Sequence, residues 1–347
     1  MPILNKNNNE EMKKYEEFLK DNEYANMLQA PAWAKVKEGV WNSEFIYLEE
    51  NNKIVAGMLI LIRKFGKVFT MAYSPRGPVC DLYDIDTVKK LIKEAEPLIK
   101  KYKAFVLKID PAVSYSEELE NMYKKNKFKV KTDFKDILEL MYPIRDMILN
   151  IDGKTEEEIV KGYSSKTRYN IKLAEKKGVT VRYSLDEEDL KKFYELMKIT
   201  AQRDKIGLRE YDYFKKIIDS YPKENVRIYL AEHEGVALSG AIAINYGKEV
   251  EYYYGASSNE KRNLMPNYLM QQNMIRWAIE TKCKKYNFGG IFNTTKDNGL
   301  FRFKEGFCRQ EGPTKFIGEI NKVYRPISYF IFSKLMPIMK HINLKFN

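Results

Sequence analysis

The sequence predicts an α/β (α+β) fold of two similar mixed domains in tandem. Three observations carry this. The chain has 347 residues, too many for one typical domain and comfortable for two. A strand–turn–strand pattern occurs twice. Each copy is followed by the same succession of strand, helix and strand. Hydrophobic residues at 44% supply two cores, and 31% charged residues supply a solvated surface.

The elements can be justified in order. Residues 9–19 read as a first helix. Residues 45–50 and 54–60 read as strands joined by the polar turn 51–53, with Gly57 inside the second strand. Residues 68–73 form a third strand, 86–102 a helix and 104–109 a buried strand. The second copy begins with a helix over 185–200. Strands 227–232 and 236–242 flank the turn 233–235, with Gly240 at the matching place in its strand. A third strand over 250–254, a helix over 266–282 and a strand over 285–288 complete it. A glycine inside a strand marks a bulge or a close approach of another element. The order helix, three antiparallel strands, helix, strand resembles the acyltransferase fold of the GNAT type, present twice.

Composition narrows the chemistry. The net charge of +12 favours polyanionic partners, nucleic acid or phosphorylated ligands among them; a lysine-rich solvated surface gives the same number. Cys80, Cys283 and Cys308 are far apart and form no disulfide framework or zinc site. The two histidines, His233 in a charged turn and His341 near the C-terminus, suit neither a catalytic triad nor a metal. The polar N-terminus carries no signal pattern, and no apolar run reaches the ~20 residues of a spanning helix. A cytoplasmic protein is expected, with possible sites limited to those described next.

A GNAT-like fold first suggests acetyl-CoA. Its pyrophosphate usually rests on a Gly-rich turn ahead of a helix. Residues 73–78 and 255–266, which follow the two third strands, do not match that turn. Other residues suit an anionic, extended substrate. In the run Tyr252-Tyr253-Tyr254, strand alternation puts Tyr252 and Tyr254 on one face and Tyr253 on the other. Arg203, Arg209, Tyr211 and Tyr213 follow a helix end, where arginine forks suit phosphate or carboxylate. Core tyrosines and surface arginines would read the same way. In the segment 299–307, Lys304 lies among Phe301, Phe303 and Phe307, placed to steady an oxyanion or phosphate, or to snorkel at the surface. Residues 161–182 predict a basic helix closed by Gly178. The C-terminal stretch 324–347 is apolar and basic, interrupted at Pro337.

These pieces together resemble the FemABX peptidyltransferases, most closely the compact FemX type. The matching stretches are residues 29–37, 73–79, 107–111, Arg203-Asp204, 211–214, 288–290, Phe303-Lys304 and 317–320, in the family's order along nearly the whole chain. The resemblance implies twin GNAT-like domains: residues 1–147, completed by about 316–335, then 148–315, with 336–347 an apolar basic tail. It implies transfer of an amino acid from aminoacyl-tRNA to the third-position amine of a stem peptide, in UDP-MurNAc-pentapeptide or the lipid-linked precursor lipid II. Aminoacyl-tRNA is then a co-substrate, with no cofactor and no metal. By motif match, Lys37, Arg209, Tyr213 and Tyr254 look like acceptor-binding residues and Tyr252 a neighbour. Lys304 with Phe303 looks like the group facing the tRNA acceptor end, and Asp110 and Glu319 match two site carboxylates. No long coiled-coil arm of the larger members is visible.

That chemistry fits the residue types. An aminoacyl ester is already activated, so alignment can supply about 7 kcal/mol or more of the barrier reduction. Direct aminolysis, with Lys304 countering developing charge, needs no nucleophile, metal or histidine. By charge alone, Lys161, Lys166, Arg168, Lys172, Lys176 and Lys177 are candidates for tRNA phosphates. The tail is expected to lie on an anionic membrane or to pack as a terminal helix on the first domain. A CoA-dependent N-acyltransferase, a non-catalytic RNA-binding protein, and a tRNA-dependent transferase to lipid or protein acceptors remain the alternatives.

Overall fold

The computed structural model describes residues 3–20, 22–134 and 139–342, with side chains as far as residue 335. It divides into two compact units. One comprises residues 1–144 and 315–346, the other 145–314, so the division falls at Ile144/Arg145 where the sequence suggested 147/148.

In the first unit, helices α1 (Asn9–Lys20) and α2 (Pro31–Lys37) precede β1 (Asn42–Glu50), β2 (Lys53–Phe65) and β3 (Phe69–Ser74). Helix α3 (Ile85–Tyr102), β4 (Val106–Ile109), α4 (Glu117–Lys125) and β5 (Lys129–Lys131) follow. The chain returns at its end with β13 (Glu319–Val323) and α11 (Pro326–Ile342). The sheet order is β1-β2-β3-β4-β13-β5. The returning strand β13 thus enters between β4 and β5, antiparallel to both. Ile60, Leu107 and Ile320 of one sheet face are buried with Leu91 of α3 and Leu119 of α4. The opposite face buries Met71, Tyr73, Phe105 and Val106 with Phe332 of α11. Helix α11 runs through Pro337 rather than breaking there, and residues 343–347 of the expected tail lie outside the described residues.

The second unit opens with β6 (Arg145–Asn150), α5 (Glu156–Gly162), α6 (Ser165–Lys176) and β7 (Thr180–Ser184). Helices α7 (Glu187–Asp204) and α8 (Tyr211–Ser220) lead to β8 (Val226–His233), β9 (Val236–Tyr246) and β10 (Glu249–Ser257). Helix α9 (Pro266–Glu280), β11 (Lys285–Gly290), α10 (Gly299–Glu305) and β12 (Pro313–Lys315) complete it. The order is β12-β6-β11-β10-β9-β8-β7. The core gathers Met147, Ile171, Met274, Trp277, Tyr286 and Phe307.

The repeat has a physical basis. In both units two antiparallel pairings are followed by one parallel pairing. The second strand of the first copy starts at Lys53, one residue earlier than its sequence suggests, so Gly57 and Gly240 are each the fifth residue of their strands. Both mark a close approach of a helix. A Cβ on Gly57 would lie 2.7 Å from the Tyr15 ring of α1, and one on Gly240 would lie 3.1 Å from the Phe193 ring of α7. The same helix crosses the same point of each sheet.

Several stretches that carry the family resemblance in the first unit form one buried lock. The Gln29 amide donates to Ser74 Oγ at 3.1 Å and to the Pro75 carbonyl at 2.5 Å, while its oxygen accepts from Leu59 N at 2.9 Å. A Cβ on Gly77 would strike Ser74 Oγ at 2.3 Å, so only glycine fits under that amide.

Candidate active site

The parallel pair β3/β4 of the first unit stays in register to its end, from Met71↔Val106 to Ser74↔Ile109. Its counterpart in the second unit does not. Strands β10 and β11 pair only at Glu249↔Lys285, Val250↔Tyr286 and Glu251↔Asn287, although they run on to Ser257 and Gly290. Two irregularities accompany the parting. The β10/β9 register slips between Tyr252 and Tyr254, and the β11/β6 register slips between Asn287 and Gly290. Beyond Glu251 no β10–β11 pair occurs among the described residues, so the ladder between these two strands ends in a gap there.

Lys304 stands at this gap. Asn298 caps α10, its Oδ1 accepting from Phe301 N at 2.8 Å, and the helical spacing turns Phe301 and Lys304 inward together. Lys304 is 4% exposed, and its Nζ donates to the Gly290 carbonyl at 3.0 Å. A Cβ on Gly289 would lie 3.4 Å from the Tyr252 carbonyl and 3.9 Å from that Nζ. Gly289 has φ of 75°, a conformation that favours glycine. Burial pulls the ammonium down from 10.5 to about 8, opposed by the acidic neighbours Asp146 and Glu251 and by Cys308. Of the two readings of Lys304, the snorkelling surface lysine does not hold, because the side chain is interior. Phe303 is partly buried and packs edge-on against Tyr268 and Phe307, at 4.9 and 5.6 Å between ring centres.

The register slip corrects the expected facing of the tyrosines. Tyr252 pairs with Ala243 and Tyr254 with Ile242, neighbours that point to opposite faces. Tyr252 therefore packs against the core under α9, and burial pushes its phenol up to about 12. Tyr254 lies on the other face against Phe214 of α8. The extra residue, Tyr253, joins Tyr254 there. Their hydroxyls lie 3.4 and 3.5 Å from that of Tyr213, and the Arg209 guanidinium sits 5.3 Å from the Tyr213 ring centre. Three candidates for acceptor binding, Arg209, Tyr213 and Tyr254, thus form one cluster with Tyr253. Sequence reasoning placed Tyr253 elsewhere because an inserted strand residue leaves no compositional mark.

The remaining candidates separate by what they touch. In the first unit Lys37 closes α2, with its Nζ 4.4 Å from the Trp33 ring centre. Asp110 is buried, accepting from Tyr73 Oη at 2.6 Å and Arg76 N at 2.8 Å. Burial raises its carboxyl to about 6 against the lowering effect of Arg76. These contacts hold the turn after β3, so geometry gives Asp110 a structural task. Glu319 is buried too, with Oε2 accepting from Lys108 Nζ at 2.6 Å. In the second unit Arg203 forks onto Asp204 at 2.8 and 2.9 Å and donates to the Ser257 carbonyl at 3.0 Å, tying α7 to β10. Arg168 donates to the carbonyls of Lys161 and Tyr163, closing the end of α5. Lys161, Lys166, Lys172, Lys176 and Lys177 are exposed. Helix α6 also meets α10: Ser164 N donates to the Gly306 carbonyl at 2.8 Å, and a Cβ on Gly306 would lie 2.4 Å from Thr167 Oγ1. No cluster of metal-ligating side chains occurs among the described residues.

Two units of one strand order, with the second parted around a buried ammonium, define a tandem GNAT-type acyltransferase fold. A sequence model of the FemAB family matches residues 11–235 and 231–336. The chain belongs to the FemAB family. It is 32% identical over 339 residues to the UDP-N-acetylmuramoylpentapeptide-lysine N(6)-alanyltransferase of Weissella viridescens, covering 95% of this chain and 98% of that one. It is 28% identical to the lipid II:glycine glycyltransferase of Staphylococcus haemolyticus, covering 95% and 96%. That alignment runs over 405 positions, so the glycyltransferase carries inserted residues that this 347-residue chain lacks. The crystal structure of FemX superposes with a TM-score of 0.86 at 26% identity, over 96% of this chain and all of that one.

Proposed function

We propose that the protein is a tRNA-dependent aminoacyltransferase. It moves an amino acid from aminoacyl-tRNA to the third-position amine of the stem peptide of a peptidoglycan precursor, UDP-MurNAc-pentapeptide or lipid II, on the cytoplasmic side. The observation that carries this reading is the near full-length likeness to the Weissella alanyltransferase, joined to the parted strands with Lys304 between them. In this reading the ester carbonyl of the donor enters the gap. The acceptor amine attacks it, the carbonyl oxygen gains charge, and the Lys304 ammonium offsets that charge in a place where water is excluded. Collapse breaks the ester C–O bond, the tRNA leaves through its ribose oxygen, and the amine's proton passes to that departing oxygen.

The alternative of a CoA donor finds no support in the turn ahead of α9. There Pro266 occupies the first helical position without an N–H, and no glycine occurs between Ala256 and Pro266. Titrating the protein calorimetrically with UDP-MurNAc-pentapeptide and with CoA separates the readings. The proposal expects heat from the first and none from the second. Arg209→Ala is expected to weaken acceptor binding about 10- to 100-fold, the worth of a charge-assisted contact. Saturable CoA binding, or acceptor binding indifferent to Arg209, would contradict it.

Donor binding on the α6 lysines predicts a salt signature. Each phosphate contact removed lowers the slope of log affinity against log salt by about 0.7 to 0.9. Lys172→Gln with Lys176→Gln is therefore expected to flatten the slope for charged tRNA by about 1.5. An unchanged slope in filter binding would identify this face as merely solvated.

A further inference from the structure

Helix α11 leaves an apolar face uncovered. Tyr329 and Phe332 turn toward the first unit, where Phe332 packs on Phe65, Phe69 and Phe105 with ring centres 4.9–5.6 Å apart. Ile327, Phe330, Ile331 and Leu335 are 78%, 64%, 41% and 41% exposed. With Lys334 they follow a spacing of three and four residues, covering an arc of roughly 140° on the side away from Phe332. Beside the helix stands the tip of the β2–β3 hairpin, because Phe65 and Phe69, which flank the tip, both rest on Phe332. The tip carries Val68, 74% exposed, directly after Lys67 and four residues after Lys64.

We propose that the β2–β3 tip and the outer face of α11 together dock on an anionic lipid bilayer. Charge and side-chain type point to this partner. Residues 63–69 and 326–342 contain no aspartate or glutamate, and Lys64, Lys67 and Lys334 are exposed there. Apolar side chains ringed by lysine match a headgroup–acyl boundary: the side chains enter the apolar edge and the ammonium groups meet lipid phosphates. Of Val68, Ile327, Phe330, Ile331 and Leu335 one, Phe330, is a ring on which a base could stack, so the apolar area suits acyl chains better than a nucleic acid. Among the described residues no helix is long and apolar enough to cross a membrane, so the contact is interfacial. The surface belongs wholly to the first unit, and its proposal is independent of which donor or acceptor the enzyme uses.

The test is sedimentation of the full chain with vesicles of phosphatidylglycerol mixed with phosphatidylcholine, and of phosphatidylcholine alone. Binding to the mixed vesicles is expected, weakening as salt rises, with little to the neutral ones. Val68→Glu and Ile331→Glu, both at exposed positions, should each weaken it about tenfold or more while far-UV circular dichroism stays unchanged. Lys64→Gln with Lys67→Gln should weaken it without touching α11. Three results would overturn the proposal: no binding by the unaltered chain, binding by the glutamate variants equal to it, or a chain that self-associates in light scattering and becomes monomeric on Ile331→Glu. The last would make the face a contact between copies.

Discussion

Lys304→Met is expected to lower aminoacyl transfer by about 10²–10³-fold while raising stability, two effects of opposite sign from one side chain. The rate effect follows from the position of Nζ at the parted strands, 3.0 Å from the Gly290 carbonyl. The stability effect follows from linkage. Burial lowers the folded pKa to about 8, whereas the unfolded lysine keeps its ordinary 10.5. Between those values the unfolded chain holds a proton the folded chain has lost, so stability rises with pH across that window. Below about pH 8 the folded chain carries the full cost of a buried ammonium. Methionine removes that cost and keeps the volume, for a gain of about 1–3 kcal/mol at pH 7 after loss of the bond to Gly290. Thermal unfolding and initial rates on the same preparation check both signs. A methionine variant that is less stable, with its rate intact, would make Lys304 a structural residue. The wild-type rate should also fall as pH rises through about 8, where the side chain loses its charge.

Gly255→Ala is the second large effect. The slip at Tyr253 puts residues 252 and 255 on the same face, and the Tyr252 ring folds over Gly255. A Cβ there would sit 1.5 Å from Tyr252 Oη and 2.7 Å from the ring carbon Cε2. Both sites cannot be filled, so the ring must leave. Misplacement by about 1 Å beside reacting groups costs on the order of 10²-fold in rate, and the overpacking costs about 1–3 kcal/mol in stability. The cause is separable. In Tyr252→Ala/Gly255→Ala the clash is gone, so the double variant should recover stability relative to Gly255→Ala and lose little more rate than Tyr252→Ala alone. Simple additivity of the two substitutions in both measurements would reject the steric account.

What the sequence disclosed depended on whether periodicity carried the information. The twofold repeat, its helices and its strand glycines were legible, because Gly57 and Gly240 stand at the same place in two similar strands, where α1 and α7 cross. Lys304 among phenylalanines was visible as a motif, but its burial was not, since a lysine facing inward and one snorkelling outward share the same letters. The facing of Tyr252 and Tyr254 went wrong for a definite reason: alternation assumes an unbroken ladder, and one extra residue reverses every position after it. Arginines misled in a similar way. Arg168 and Arg203 look like free forks, yet in the second unit Arg168 donates to carbonyls at the end of α5, and Arg203 to the Asp204 carboxylate and the carbonyl of Ser257 that ends β10. Asp110 stood in a matching stretch as a carboxylate suited to a base, and the fold surrounds it with the Tyr73 hydroxyl and the Arg76 amide. The parting of β10 from β11 had no sequence signal at all, since it arises from two register slips in neighbouring strands.

The measurement that bears most directly on the central claim is transfer of a labelled amino acid from charged tRNA to UDP-MurNAc-pentapeptide and to lipid II, offered in parallel. Glycyl-, alanyl- and seryl-tRNA would serve in turn as donors. The account predicts label on the third-position amine of at least one acceptor, abolished by prior ribonuclease treatment of the donor. Absence of label on both acceptors with all three donors, from protein that is folded and binds charged tRNA, would contradict it.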